Sequence, residues 1–396
     1  MEVTVEKLDN FGRGITYIND KICFIENALP KEVVDIKIIE DKKKYCIGKV
    51  IEYIETSPNR IEEECPYSTV CGGCQLNHIC FNDENKFKKD KVKSLLKKMG
   101  HIETPISSIK YHERNHYRNK IILHGKDHEL GLYKKETNEI IPIQSCLLVN
   151  DKINEIINQI RMCNDDIEEC IIKTSNDNSS VLVSIKGSIN HQEELKKIID
   201  VLEINGKILT DKKSIITTIG NKKYYESTQS FFQVNNTLTK ELYDCVLEEV
   251  KKKHYKNALD LYCGTGTIGI YISDYVGKII GIDNNPSNIK DANKNKELNH
   301  CENINFIEDS VENKIDSFHN IELIIVDPPR TGLDPKTIEY LLKINPVKII
   351  YVSCDPVTLS RDLDLLQSNY NIQSIQLFNM FPRTYHCESV CILERR

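Results

Sequence analysis

From residue 221 onward the chain alternates between apolar strand-like runs and helical segments. The runs are NALDLY, KIIGID, NINFIE, IELIIVD and KIIYVS. Strands this apolar must be covered on both faces, and strands separated by helices run parallel. Residues 221–396 are therefore expected to form a Rossmann-like doubly wound sheet. In such sheets ligands sit beyond the carboxyl ends of the strands, so those ends are where chemistry is sought. Upstream the rhythm differs. In residues 1–60 the short runs GITYI, KICFI, VVDIKII and CIGKVIEYI are split by turn residues, a pattern that predicts a small OB-like β-barrel. Ser57-Pro58-Asn59-Arg60 marks its end. Residues 61–220 open with a cysteine-rich stretch. They then mix strands (KIILHG, ELGLY, SVLVSI, SIITTI) with helices (VNDKINEIINQIRM, HQEELKKIIDVL), which predicts a central α+β domain.

The start, MEVTVEKLDNFGRG, lacks the apolar core of a signal peptide. No stretch approaches the roughly 18 apolar residues of a membrane span. The expectation is a cytoplasmic, monomeric protein with no membrane partner. In a reducing compartment 15 cysteines do not read as a disulfide framework, so some become candidates for metal binding or catalysis and the rest for small buried hydrophobes. The net charge of −6 argues against a nucleic-acid partner, but charge distribution matters more than the total. Residues 81–135 carry 14 Lys/Arg against 7 Asp/Glu. KFKKDKVKSLLKKMG within them has helical apolar spacing and is either a solvated helix or a face turned to RNA.

Four strand ends carry unusual residues. Leu259-Asp260-Leu261-Tyr262-Cys263-Gly264-Thr265-Gly266-Thr267 closes one strand and opens a helix, with glycines where the backbone must turn tightly against a ligand. Gly281-Ile282-Asp283 closes the next and offers a carboxylate to a ribose. The pair fits either NAD or S-adenosylmethionine. IELIIVD runs into Asp327-Pro328-Pro329-Arg330, and KIIYVS into Cys354-Asp355-Pro356. A cysteine is more often a buried structural thiol, but its place at a strand end beside two Asp-Pro turns favours a reactive role. An aromatic residue after Asp-Pro-Pro would suggest methylation of an exocyclic amine; here Arg330 stands in that place. A cytosine-C5 enzyme would be expected to carry a second cysteine in the same loop, and none exists. A single strand-end cysteine with a separate base suits uracil. Glu388, in His386-Cys387-Glu388-Ser389-Val390, is unremarkable alone and gains meaning only within the set.

Cys65, Cys71 and Cys74, followed far downstream by Cys146, have the layout of an iron–sulfur site or of a four-cysteine zinc site. Cys80 is a near neighbour outside the pattern.

Together these residues resemble the RNA uracil-C5 methyltransferase family, in particular its iron–sulfur-containing 23S rRNA branch. The likeness runs nearly end to end, through a TRAM-like barrel, CPYSTVCGGCQ, HYRNK, GLYKKETNEIIPIQSC, QSFFQVN, DLYCGTGTIG, DPPRTGLD, YVSCDP and CESV, in that order. The resemblance implies Cys354 as nucleophile and Glu388 as base. It implies Gln233, Tyr262, Gly264, Asp283 and Asp327 as the pocket of the methyl donor S-adenosylmethionine. It implies Cys65, Cys71, Cys74 and Cys146 as ligands of a 4Fe-4S cluster, and rRNA as partner. The chain departs from the family at Asp283, where Glu is frequent, and at Thr267, where some members carry Asn. Three other readings are a tRNA uracil-C5 methyltransferase, a non-catalytic RNA-binding protein with a metal knuckle, and an NAD-dependent oxidoreductase. The last two leave Cys354 and Glu388 unexplained.

Overall fold

The structure is a computed structural model that describes residues 1–162 and 166–396. Six strands, β1 (Glu2–Thr4), β2 (Lys7–Leu8), β3 (Gly14–Ile18), β4 (Lys21–Ile25), β5 (Val33–Asp41) and β6 (Tyr45–Glu55), form one sheet in the order β1-β5-β6-β4-β3-β2. Val5, Cys23, Ile25, Val34, Ile36 and Cys46 fill its core. The cysteine-rich stretch after it has no regular strand.

Helix α1 (Phe81–Met99) and strand β7 (Ile106–Lys110) follow. Then come β8 (Lys120–Lys126), β9 (Glu129–Tyr133), β10 (Ile140–Pro142), α2 (Asp151–Met162), β11 (Asp166–Thr174), β12 (Val181–Ser188), α3 (Gln192–Leu195), β13 (Val201–Ile204) and β14 (Lys207–Ile208). Strands β8 to β14 make a seven-stranded sheet. Ile153, Ile156, Ile157 and Ile160 of α2 are buried against it. The helix expected over HQEELKKIIDVL is only one turn. Val201 and Leu202 leave it to pair in parallel with Leu182 and Val183 of β12, where both are fully buried. Burial on a sheet outweighs helical spacing here.

The C-terminal part begins with the hairpin β15 (Ile215–Ile219) and β16 (Lys222–Glu226), followed by α4 (Asn236–Lys251). It continues through β17 (Tyr255–Leu261), α5 (Thr267–Ile272), β18 (Val276–Asp283), α6 (Pro286–Leu298), β19 (Ile304–Glu308), α7 (Val311–Lys314), β20 (Leu323–Val326), α8 (Pro335–Ile344), β21 (Lys348–Ser353), α9 (Pro356–Leu366), β22 (Tyr370–Phe378) and β23 (Glu388–Arg395). The sheet order is β19-β18-β17-β20-β21-β23-β22-β7. Strands β17 to β21 are parallel, while β23 runs antiparallel between β21 and β22. The chain moves outward from β17 to β19 and returns to β20, so the switch point where ligands bind lies between β17 and β20. Every residue of β20 and β21 is buried. Separate apolar clusters cover the two faces of the sheet. Three helices start on an acid or amide followed by proline: Asn285-Pro286, Asp334-Pro335 and Asp355-Pro356. Each first residue caps its helix through its side chain, and proline suits the first helical position.

The structure places α1 and β7, which precede the seven-stranded sheet in the chain, on the C-terminal sheet. Strand β7 pairs in parallel with β22, and α1 packs on α9 through Val92 and Leu96. A charged core ties α1 to the segment between β22 and β23. The Lys88 Nζ, fully buried, donates to Glu84 Oε1 at 2.9 Å, to Asn379 Oδ1 at 2.6 Å and to the Phe381 carbonyl at 3.0 Å. Removing Lys88 leaves Glu84 with only the more distant Arg114, at 3.4 Å, as a charge partner. Lys88→Met is therefore expected to lower the unfolding free energy by about 3–5 kcal/mol, read from the shift of a urea denaturation curve. A loss below about 1 kcal/mol would show that Glu84 finds another partner.

Candidate active site

The turn after β17 is held to the end of β18. The Cys263 amide donates to the Ile282 carbonyl at 3.0 Å, and the Gly264 amide to Asp283 Oδ2 at 3.0 Å. The other Asp283 oxygen accepts from the Asn285 amide and from Asn288 Nδ2. Gly264 has φ +53°, and no atom lies within 4 Å of where a Cβ would stand. It thus faces open space at the switch point, as a loop approached by a ligand must. Tyr262 also has positive φ, and its hydroxyl donates to Glu312 Oε1 at 2.9 Å. Asp260, beneath the turn, accepts from the Gly269 amide at 2.9 Å, while its other oxygen is buried with no hydrogen-bond partner among the described residues. Burial pushes the Asp260 carboxyl up to about 7, with Asp327 and Asp283 adding to it. Burial likewise pushes Asp327 up to about 7. This crescent of carboxyls around an open turn suits a ligand that brings positive charge and ribose hydroxyls.

Gln233 lies on the segment between β16 and α4. That segment hangs on the ends of the seven-stranded sheet. Asn119 donates to the Gln233 and Val234 carbonyls, and Lys173 Nζ to the Ser227 and Ser230 carbonyls, both at 2.8 Å. Asn119 falls within the HYRNK motif, whereas sequence reasoning missed Lys173, because a buried lysine is indistinguishable from a surface one in a sequence.

Register brings Cys354 and Glu388 together. Strands β21 and β23 are antiparallel with Ser353 opposite Ser389. Cys354 follows Ser353 and Glu388 precedes Ser389, so the two fall opposite each other. Asp355 accepts from the amides of Val357 and Thr358, which fixes the turn at Cys354. The Asp327–Arg330 turn is pinned to the same helix: Thr358 Oγ1 donates to the Arg330 carbonyl at 3.2 Å, and Arg361 Nη2 to the Thr331 carbonyl at 3.0 Å. Burial pushes the half-buried Cys354 thiol up to about 12, and the Glu388 and Asp327 charges add to this. Burial pushes Glu388, only 3% exposed, up to about 8, with Asp327 adding to it. Arg330 opposes both shifts. It is the cation that favours thiolate and carboxylate, a role its sequence position did not reveal.

Cys65, Cys71, Cys74 and Cys146 come within electrostatic reach of one another. Burial raises Cys74 most, and then Cys146, Cys71 and Cys65 raise it, with Arg383 opposing. The Gly73 amide donates to the Cys71 sulfur at 3.4 Å, and the Leu148 and Val149 amides face Cys146. Among the described residues, no three His, Cys, Asp or Glu side chains stand close enough to hold a metal ion as they are. The four thiols are thus neighbours rather than a drawn-in ligand set. Cys80 points elsewhere and donates to Asp83. Among the described residues no helix is long and apolar enough to cross a membrane.

Residues 197–396 match the model of the tRNA (uracil-5-)-methyltransferase family, and residues 1–51 match the TRAM domain. An RNA methyltransferase of Aquifex aeolicus is 34% identical, with 100% of this chain and 98% of the relative covered. The chain belongs to the RNA uracil-5-methyltransferase family. It is an enzyme, with an N-terminal TRAM domain. A second RNA methyltransferase, from Clostridium acetobutylicum, is 32% identical over 100% of this chain and 96% of its own length. The fold is shared with the Pyrococcus abyssi tRNA (uracil-54, C5)-methyltransferase, solved in complex with S-adenosyl-L-homocysteine. That likeness has a TM-score of 0.83 at 24% identity and covers 99% of this chain and 100% of that one.

The raised Glu388 carboxyl has a consequence for stability. In the unfolded chain it titrates near the ordinary 4.5, in the folded chain near 8. Between these values the folded state holds a proton that the unfolded state has lost, so stability falls as pH rises through that window. Glu388→Gln removes this dependence. The variant should match the unaltered protein near pH 4.5 and melt at higher temperature by pH 8. A constant difference in melting temperature across the range would mean that Glu388 is ionised throughout.

Proposed function

We propose that this enzyme methylates C5 of a uridine in 23S rRNA, using S-adenosylmethionine, with Cys354 as nucleophile and Glu388 as base. The observation that carries the reading is the β21/β23 register that sets Cys354 opposite Glu388 beside Asp327. Gln233, Tyr262, Gly264, Asp283 and Asp327 would hold the donor, which supplies an electrophilic methyl group. Uracil C5 is a poor nucleophile. Cys354 gives up its thiol proton to solvent and adds to C6 as the thiolate, and the electron pair of the C5–C6 double bond moves toward C5 and the O4 carbonyl. C5 then takes the methyl group as the bond from methyl to the donor's sulfonium sulfur breaks, which leaves S-adenosylhomocysteine. Glu388 removes the C5 proton, the double bond reforms, and the thiolate leaves. A base with its pKa near the working pH serves this last step well. Arg330 favours the charged form of both groups. A paired uridine would be out of reach, so the target is flipped or lies in a loop.

Replacing Cys354 with Ala should abolish both methyl transfer and adduct. Replacing Glu388 with Gln keeps the shape and removes the base, so addition and methyl transfer proceed while elimination stalls. A denaturing gel with labelled 23S rRNA should show a slow band for Glu388→Gln and none for Cys354→Ala. Normal turnover by Glu388→Gln would assign the base elsewhere. A band formed with tRNA instead of rRNA would move the substrate to tRNA.

Cys65, Cys71, Cys74 and Cys146 would hold a 4Fe-4S cluster. Mutual reach, facing amides and the Arg383 cation beside Cys74 support this reading, since thiolates are the ligands such clusters need. Nothing in the reaction calls for an electron, so the cluster's part is to brace the fold, and each ligand substitution should impair folding. Protein purified without oxygen should be brown and contain iron. Stoichiometric zinc without iron would overturn the assignment.

A further inference from the structure

The turn Asp9-Asn10-Phe11-Gly12-Arg13 leaves the TRAM sheet and reaches the segment that carries Glu388. Its own side chains hold it rigid. Asp9 accepts from the Phe11 amide at 2.9 Å, the Arg13 amide at 2.8 Å and Arg13 Nε at 2.8 Å. Gly12 has φ +84°, and a Cβ there would stand 2.4 Å from Leu76, so the turn is seated on the cysteine-rich stretch. Lys91 of α1 donates to the carbonyls of Asn10 and Tyr385 and so bridges the turn to the catalytic segment. The result is a row of rings. Phe11 meets Tyr385 edge-on with centroids 5.3 Å apart, and Tyr385 lies 4.3 Å from His386. Phe11 is nonetheless 53% exposed. Two cations brace the row from behind: Arg13, paired with Asp9, lies 5.6 Å from the Phe11 ring, and Lys91, buried with its Nζ on the two carbonyls, lies 5.4 Å from the Tyr385 ring. Arg330 and Asp355, the neighbour of Cys354, both act on His386.

An exposed ring in a fixed turn, beside cations and next to the reacting residues, has the chemistry of a platform for an unpaired base. Bases stack on aromatic rings. We propose that Phe11, Tyr385 and His386, braced by Arg13 and Lys91, form a ledge on which a base adjoining the target uridine stacks in single-stranded RNA. Burial and the nearby Arg330 and Lys91 hold the His386 ring neutral, as a stacking surface rather than a charge. The TRAM domain thereby contributes a residue to the substrate site itself. The proposal rests on the uridine-methylation reading, but its test scores binding and not methyl transfer.

The probe is fluorescein-labelled decauridylate with a central 5-fluorouridine, with S-adenosylhomocysteine present. Phe11→Ala should weaken binding roughly five- to hundredfold, with the salt dependence unchanged, since a stacked base carries no counterions. Phe11→Tyr should bind within about twofold of the unaltered protein. An abasic nucleotide at one flank of the central position should cost the unaltered protein as much as Phe11→Ala does, and should cost the variant nothing more. Phe11→Ala binding within about twofold, or losses that simply add, would overturn the ledge. Should Phe11→Ala fail to fold, the abasic comparison on the unaltered protein decides: no cost at either flank overturns it. An unaltered protein that methylates no RNA yet binds through Phe11 would remove the activity and keep the ledge. Methylation with Phe11→Ala at full affinity would do the reverse.

Discussion

The fully buried guanidinium of Arg383 joins three stretches of chain that are distant in sequence. It donates to Glu64, Asn77 and Asn115, while its own amide donates to Glu84 and its carbonyl accepts from the amides of Gln75 and Leu76. A cation with so little water around it is tolerable only when nearly every donor is satisfied. That demand fixes the cysteine-rich stretch, the start of α1 and the connection from β22 to β23 in one arrangement. The connection ends at Glu388, so the placement of this proposed base is inherited from the polar core around Arg383. Arg383 has positive φ, a backbone strain the surrounding contacts must offset.

The site then follows from two independent devices. Parallel strands deliver Tyr262, Asp283, Asp327 and Cys354 to one rim of the sheet, where the helices after the last three are capped by the side chains of Asn285, Asp334 and Asp355. The antiparallel strand β23 delivers Glu388 to the same rim from the opposite direction. Burial raises Asp327, Glu388 and the Cys354 thiol together, and Arg330, on an exposed turn pinned to α9, is the charge that opposes the rise of Cys354 and Glu388. The field at the rim is thus set as much by what surrounds the reactive groups as by the groups themselves.

Much of this was legible in the sequence, for identifiable reasons. Apolar runs such as LIIV and KIIYVS admit one environment, and the steps Asp334-Pro335 and Asp355-Pro356 open helices, although Asp327-Pro328 opens only a turn. What was not legible depends on contacts between distant residues. The run ending in Val201 and Leu202 has helical spacing and becomes a strand, because β12 offers it an edge. Strand β7 reads as part of the central region and completes a sheet formed far downstream. Lys88, Lys173 and Arg383 look like surface charges, since nothing in a sequence distinguishes a buried cation from a solvated one. The four cysteines show the same limit: spacing identified neighbours, while the state in which they act depends on what they hold.

The edge strand β7 also bears on how the molecule is made. Thr104, just before it, bonds a carbonyl 268 residues further on. Closing so long a loop costs chain entropy that grows only slowly with length, but it delays the contact. On a ribosome the TRAM sheet can form early, since its strands are neighbours in sequence. Strand β7 and the apolar face of α1 must instead remain without their partners until almost the whole chain has emerged. During that interval an unpaired strand and an amphipathic helix are exposed, and the strongly charged outer face of α1, rich in lysine, is then a means of keeping the waiting chain in solution.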